Sequence, residues 1–473
     1  MRAQKYTWTL ILFAATARVL CAQSGPEQTP AAQLPRQVPA ASDNEAVAGD
    51  NPAQADEEPP EPASERRSFF TVGLHVSEAL DELSGVSAAS ISSQSTFFTS
   101  ALGTLNLLSL QRRSETALDY VGGSQFYSGY PNLLVQQLNV SQRFRWRRAV
   151  LTFADELGDY PGGSFGSEWF GGAGAYELEV GGSAANLPLP SNISDFFGAS
   201  DFSAVGFGSH LTNLSLAEFA EALTPRSAIT VTGGYGFTDY SIGSIGTQGL
   251  INNYEYGAQA NYSYQLSWRN QVGVSYGFRN IEFPQAGEGY IQTNLIELFL
   301  VRQISSRVNL VAGAGPEFVR LSNPTTGSTN QLAGSGYASL NYRLWRTSLS
   351  AGCDRMVTSG SGLFAGADTD DCQIALSRPL RKWSFSAGLG YVRLSQLSKA
   401  QALIPDQRYQ YGFASAAVQR QFGPYLSFFA SYQFNDQTLN ESGCLVVGRC
   451  NGSMRDHTLT VGINLVARPK RID

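Results

Sequence analysis

Residues 254 to 268 place Tyr254, Tyr256, Ala258, Ala260, Tyr262, Tyr264, Leu266 and Trp268 at every second position, with Glu255, Gly257, Gln259, Asn261, Ser263, Gln265 and Ser267 between them. After a short turn at Arg269 and Asn270 the alternation resumes, with Val272, Val274, Tyr276 and Phe278 against Gln271, Gly273, Ser275, Gly277 and Arg279. Successive side chains of a strand point to opposite faces, so this is a long hairpin with one apolar and one polar face. Strands of soluble sheets usually run to about five or six residues. Strands that cross a bilayer at a tilt need roughly nine to eleven, often with aromatic residues at the two headgroup levels. Length, alternation and aromatic placement together predict an all-β chain, a transmembrane antiparallel up-and-down barrel.

Composition narrows the choice further. The 473 residues are 42% hydrophobic and 11% aromatic but only 15% charged, a balance suited to facing lipid. No stretch from residue 23 onward approaches the ~20 consecutive apolar residues of a membrane helix, so any spanning structure there must be a closed sheet. The net charge of −6 argues against nucleic acid as a partner.

Arg2 and Lys5 precede the apolar run Trp8 to Ala17, and Leu20-Cys21-Ala22 offers a small residue for cleavage, so residues 1–22 read as a secretory signal peptide. Leu20 stands where lipoprotein processing prefers a small residue before the cysteine, which argues against lipidation of Cys21. Residues 23–66 are rich in Pro, Ala and Glu. Such a segment buries too little apolar surface to offset its ordering entropy, and it is expected to be a disordered periplasmic spacer. The barrel is expected over 67–468, with a C-terminal tail at 469–473.

Eight short turns carry arginine: Arg112 and Arg113, Arg145 with Arg147 and Arg148, Arg226, Arg269, Arg307, Arg346, Arg378 with Arg381, and Arg420. Trp146, Trp268, Trp345 and Trp383 stand beside them. A phosphate headgroup layer selects this pairing, because the cation meets phosphate while the ring straddles oil and water. The opposite connections read as longer and more acidic, at 155–159, 368–371 and 436–441. Short periplasmic turns and long outer loops are the habit of bacterial barrels. Counting strands in pairs about the arginine turns, with a last strand near 455–467 and a first at 69–77, gives eighteen. Sixteen or twenty remain as alternatives, because one early strand is weak and the interval between Arg148 and Arg226 is long enough for another hairpin. A barrel of this size leaves a wide interior, water-filled or loop-filled.

The opening strand Phe70-Thr71-Val72-Gly73-Leu74-His75-Val76-Ser77-Glu78, followed by Asp81-Glu82, resembles the start of bacterial outer-membrane barrels of the beta-barrel porin 2 type. The final strand, with Thr460, Gly462, Leu465 and Ala467, is similar to the signal read by the barrel-assembly machinery, although Arg468 to Asp473 replace a terminal aromatic. The resemblance implies residence in the bacterial outer membrane, lipid and lipopolysaccharide as surroundings, and, for some members, association with polysaccharide secretion components.

Between Arg148 and Arg226 there is no lysine or arginine, and much of the segment, roughly 159–207, is a Gly- and Phe-rich connection. Its carboxylates Asp159, Glu168, Glu177, Glu179, Asp195 and Asp201 belong to one of two arrangements. Either the loop folds into the mouth and favours cations, or it lies outside and is bridged by divalent ions to lipopolysaccharide. Alternation assigns Glu255, Gln259, Asn261, Gln265, Arg279, Asn309, Glu317, Asn341 and Arg343 to a wet inner wall of mixed sign. Cys353 and Cys372 are symmetric about a loop near Ser361 and Gly362, so hairpin pairing brings them opposite each other. Cys444 and Cys450 would close a small external loop, which makes two disulfides in an oxidising compartment.

His75 falls on the inner parity of the first strand, His457 on the lipid parity of the last, and His210 starts another strand. No metal-ligand spacing, GxSxG motif or converging Ser/His/Asp set occurs, so neither catalysis nor a cofactor is expected. Two functions fit this chain: a pore for passage or export of hydrophilic solutes, and a non-conducting structural or adhesive surface barrel. A soluble β-sandwich or propeller is disfavoured, because the apolar strand faces lack a matching second set to pack against.

Overall fold

The computed structural model describes residues 68–87, 90–128, 132–160, 210–240, 251–284, 289–323, 327–360, 364–397, 408–439 and 452–472. The wall begins with β1 (Ser68–Ser87), β2 (Ser90–Leu110), β3 (Ser114–Tyr127), β4 (Leu133–Arg145), β5 (Ala149–Tyr160) and β6 (His210–Thr224). It continues through β7 (Ser227–Asp239), β8 (Asn253–Ser267), β9 (Asn270–Phe283), β10 (Gly289–Ser305), β11 (Val308–Asn323) and β12 (Gly327–Leu344). It ends with β13 (Thr347–Thr358), β14 (Ala367–Pro379), β15 (Trp383–Gln396), β16 (Arg408–Gln421), β17 (Leu426–Leu439) and β18 (Gly452–Val466). Each strand pairs antiparallel with its neighbours in sequence, and β18 closes on β1 from Val466 opposite Gly73 to Met454 opposite Gly85. The fold is therefore a closed barrel of eighteen strands, the number expected. The short β19 (Lys470–Ile472), within the expected C-terminal tail, pairs with Ser68–Phe70 and lengthens the seam.

The side-chain period of two fixes which face looks out. Tyr254, Tyr256, Tyr262, Tyr264, Leu266 and Trp268 are exposed on the outside, whereas Glu255, Gln259 and Asn261 are buried within. The same outward array holds Val274, Leu298, Leu332, Leu389 and Leu459, all more than a third exposed. The largest apolar patch on a soluble monomer is typically about 300–600 Å². A belt running round a whole barrel belongs in hydrocarbon, and closure of β18 on β1 pairs the two strands that would otherwise be the sheet's edges.

One end of the barrel carries the arginine turns. Arg269 stacks over Trp268 at 4.1 Å and Arg420 over Trp383 at 5.0 Å, an arrangement that presents cation and indole together at an interface. Two expectations about the opposite end need correction. The acidic runs 155–159 and 368–371 lie within β5 and β14, and 436–439 within β17, because strands of this barrel extend past the apolar belt. Nor is every connection there long, since two residues separate β1 from β2 and three separate β11 from β12. The first strand, expected at 69–77, runs on to Ser87 and pairs with β2 throughout.

The wall departs from regular pairing between β12 and β13. These strands pair only from Leu344 opposite Thr347 to Gly336 opposite Arg355. Beyond that point β12 continues from Ser335 to Gly327 against β11 alone, and β13 continues to Thr358 against β14 alone. The notch is open at Gly334, where an added Cβ would meet nothing within 4 Å. β13 has turned into the barrel, taking the end of the β13–β14 hairpin with it.

Candidate functional site

The inward face of the wall is polar near the arginine turns and filled near the opposite end. Asn341 and Arg343, both on the inner parity of β12, are exposed. Gln265 and Asn309, at similar depth, are half-buried. Farther along, Glu255, Gln259 and Asn261 are buried, and Arg279 and Glu317 are 0% and 1% exposed. The expected wall residues therefore share a face but not an environment. Some border open space, and others lie beneath packed chain.

What covers them is the β13–β14 tip. Two glycines allow its reversal: Gly360 at φ +84° and Gly366 at φ +92° hold left-handed conformations that side chains rarely adopt. Backbone bonds from Phe364 N to Gly360 O (3.2 Å) and from Gly366 N to Ser359 O (3.0 Å) close the loop upon itself. Leu397 N, beyond β15, donates to Gly366 O at 3.3 Å and ties the loop to that strand's end. Phe364 sits in a cluster with Tyr240, Val392, Leu394, Tyr409, Tyr411 and Phe413. Val357 joins Ile281, Ile291, Val319 and Leu397 in a second cluster. The tip thus bridges strands far apart round the barrel and packs against their inner faces.

Two charged side chains grip its backbone. The Arg279 guanidinium of β9 donates to the Val357 carbonyl, and the Val357 amide donates to Glu317 Oε2 of β11 at 3.1 Å. Charges this deep need such partners, because an ion left without them in a dry interior is strongly disfavoured. Both residues were legible as inner-wall positions, but their common target was not.

The seam strands carry a second polar array. His75 Nδ1 lies 2.5 Å from Asn464 Oδ1, its Nε2 lies 3.2 Å from Ser77 Oγ, and the ring stacks on Phe429 at 4.9 Å between centroids. The Tyr409 hydroxyl donates to Gln437 Oε1 and that of Tyr411 to Asn435 Oδ1, each at 2.9 Å. Asn435 Nδ2 in turn reaches Asp456 Oδ2 at 3.4 Å. His457 faces the other way, with Nδ1 2.8 Å from the Tyr432 hydroxyl. His210 is buried against Tyr240, with ring centroids 5.4 Å apart. The structure does not bring the three histidines together. Among the described residues no group of three or more His, Cys, Asp or Glu is placed to hold a metal.

Cys353 and Cys372 are register partners in β13 and β14 and form a disulfide with Cα atoms 4.1 Å apart. It lies on the outward face, below an ionic group in which Arg355 pairs with Asp368 and, at 3.7 Å, with Asp370. Of the loop carboxylates, Asp159 ends β5 opposite Leu211, on the outward parity, so it does not line the lumen. Glu168, Glu177, Glu179, Asp195 and Asp201 lie outside the described residues, as do Cys444 and Cys450. The inward-folding element that the structure does show, at 357–360 and 364–366, was not expected. Its sequence signal is an apolar run, Leu363-Phe364-Ala365, flanked by Gly360, Gly362 and Gly366 where an exposed loop would be polar.

No family model matches the chain, and no curated protein matches it by sequence. Several solved structures are similar in shape. A BenF-like porin from Pseudomonas fluorescens Pf-5 shares 11% identity over 85% of this chain and 99% of its own, with a TM-score of 0.44. Pseudomonas aeruginosa OpdO shares 11% over 85% and 98%, with a TM-score of 0.43. The ferric citrate transporter FecA in its unliganded form shares 12% over 84% and 78%, with a TM-score of 0.39.

Proposed function

We propose that the chain is a bacterial outer-membrane pore for small hydrophilic solutes, with the β13–β14 tip as its constriction. The observation that carries this reading is the contrast between the two faces of one wall. Tyr256 and Val274 look out into lipid, while Gln259 and Asn261 look into an interior lined with polar groups that become exposed toward Asn341 and Arg343. Passage through such a wall needs no chemical step, only width and wall charge. The arginine turns then face the periplasm, and the ionic group at Arg355 lies at the outer headgroup level, where lipopolysaccharide is the neighbouring lipid. Assembly would use the ordinary barrel-assembly machinery.

A second reading, a non-conducting surface barrel, draws on the apolar clusters that fill the lumen around Phe364 and Val357. A role in polysaccharide export would require a wider passage, with the tip released from those clusters. Single-channel recording with ion-selectivity measurement on folded protein in planar bilayers tests all three. Steady small conductance supports the constricted pore, and persistent silence from correctly folded protein refutes it.

A further inference from the structure

On the outer face of β14, β15 and β16, at the end that carries the arginine turns, basic and aromatic side chains meet. Trp383 and Arg420 are register partners, and the Gln421 amide donates to the Lys382 carbonyl at 2.8 Å, which ties the β14–β15 turn to the end of β16. The Arg420 guanidinium lies over two rings, 5.0 Å from the Trp383 centroid and 4.8 Å from that of Phe422. Stacking orients the guanidinium and leaves its edge N–H groups for an acceptor that neither ring supplies. Arg378, Arg381 and Lys382 are exposed in or beside the same turn. Between Arg378 and Asn435 the one acidic residue is Asp406, in the opposite connection and outside the described residues. The whole chain carries a net charge of −6, so this excess of cations is local. Toward the middle of the wall the patch gives way to Leu376, Phe385, Leu389 and Phe428, all exposed on the lipid face.

We infer that this patch binds an anionic phospholipid, its phosphate held by Arg420 and Lys382 and its acyl chains lying along Phe385 and Phe428. Every phospholipid brings a phosphate. A choline or ethanolamine group would add a cation where four are already gathered, so a headgroup without one is selected. The site rests on the outer-membrane reading, which turns this end toward the phospholipid leaflet. The test uses the full chain with Trp383 as its sole tryptophan, the other five replaced by phenylalanine. It is folded into phosphatidylcholine vesicles containing either acyl-brominated phosphatidylglycerol or acyl-brominated phosphatidylcholine, and quenching against mole fraction gives the relative affinity of the two lipids at Trp383. Phosphatidylglycerol should be favoured by about fivefold or more, the contribution of one cation beside an anionic membrane surface. The preference should fall to near equality with Lys382→Gln and Arg420→Gln together, and in 1 M salt, where the screening length is about 3 Å. Arg420→Lys, which keeps the charge, should retain most of it. Heat-modifiable mobility in SDS gels confirms folding. If the sole-tryptophan chain does not fold, native mass spectra of the parent in detergent with equal amounts of both lipids replace it, and retained phosphatidylglycerol should exceed phosphatidylcholine. Equal affinity or equal retention, or a preference unchanged in the folded paired Gln variant, would overturn the assignment. Folded, inserted protein without the preference removes this site and leaves the membrane reading standing, whereas a chain that stays soluble and never enters vesicles removes both.

Discussion

If the tip is held in the lumen by Arg279 and Glu317, neutralising both should release it. The Val357 peptide is held at both ends, its carbonyl by the guanidinium and its amide by the carboxylate. A hydrogen bond to a charged group contributes about 1.5–3 kcal/mol, so the two together contribute roughly 3–6 kcal/mol. At 1.4 kcal/mol per decade, Arg279→Met with Glu317→Leu, which removes both partners of the Val357 peptide, should shift the closed-to-open ratio of the tip by about 10² to 10⁴. The apolar contacts of Val357 and Phe364 persist in that variant, so openings should be long-lived but reversible. Single-channel traces should show a higher conductance level absent from the parent, and the Val357 amide should lose protection against hydrogen exchange. Arg279→Met alone should cost more stability than the double variant, because it leaves the Glu317 carboxylate buried without its cation, a penalty of about 3–5 kcal/mol. A complete double-mutant cycle measures that coupling directly. If the double variant kept both the parent conductance and the parent protection at Val357, the latch would be refuted.

Other outcomes test the wall itself. Val274→Arg places a cation on the lipid face and should lower folding stability in vesicles by about 2–4 kcal/mol if it lies near the midplane, whereas Asn341→Arg, on the open inner wall, should change stability by less than about 0.5 kcal/mol; equal effects would invert the assignment of faces. Replacing Cys353 and Cys372 by serine opens a link spanning 19 residues, and chain entropy predicts a loss of up to about 3 kcal/mol, read as a lower denaturant midpoint. In the notch, about half the amides between Gly327 and Ser335 should exchange quickly, because alternate residues of an antiparallel strand bond to opposite neighbours; uniform protection there would mean that β13 returns to the wall.

Much of the barrel was legible because its rule is local. A residue's parity along a strand fixes its face, so Tyr254 to Trp268 announce the lipid side without knowledge of any partner strand. The Cys353–Cys372 pair was legible for the same reason, since a hairpin's midpoint sets its register. The boundary between strand and loop was less so. Asp155, Asp368 and Asp436 look like loop residues by charge, yet backbone pairing carries strands beyond the bilayer, where polar side chains cost nothing.

A closed barrel of sixteen to twenty strands, the inner and outer faces, and the arginine-bearing turns follow from the sequence alone, because period, length and turn chemistry act between near neighbours, and the structure settles the count at eighteen. The fate of the β13–β14 tip does not. Its position depends on Arg279, Glu317, Tyr240 and Tyr411, residues distant in sequence that meet only once the barrel has closed and set their spacing across the lumen. Whether a glycine-flanked apolar loop points outward or folds in is decided by the surface available to receive it, and that surface exists only in the tertiary structure.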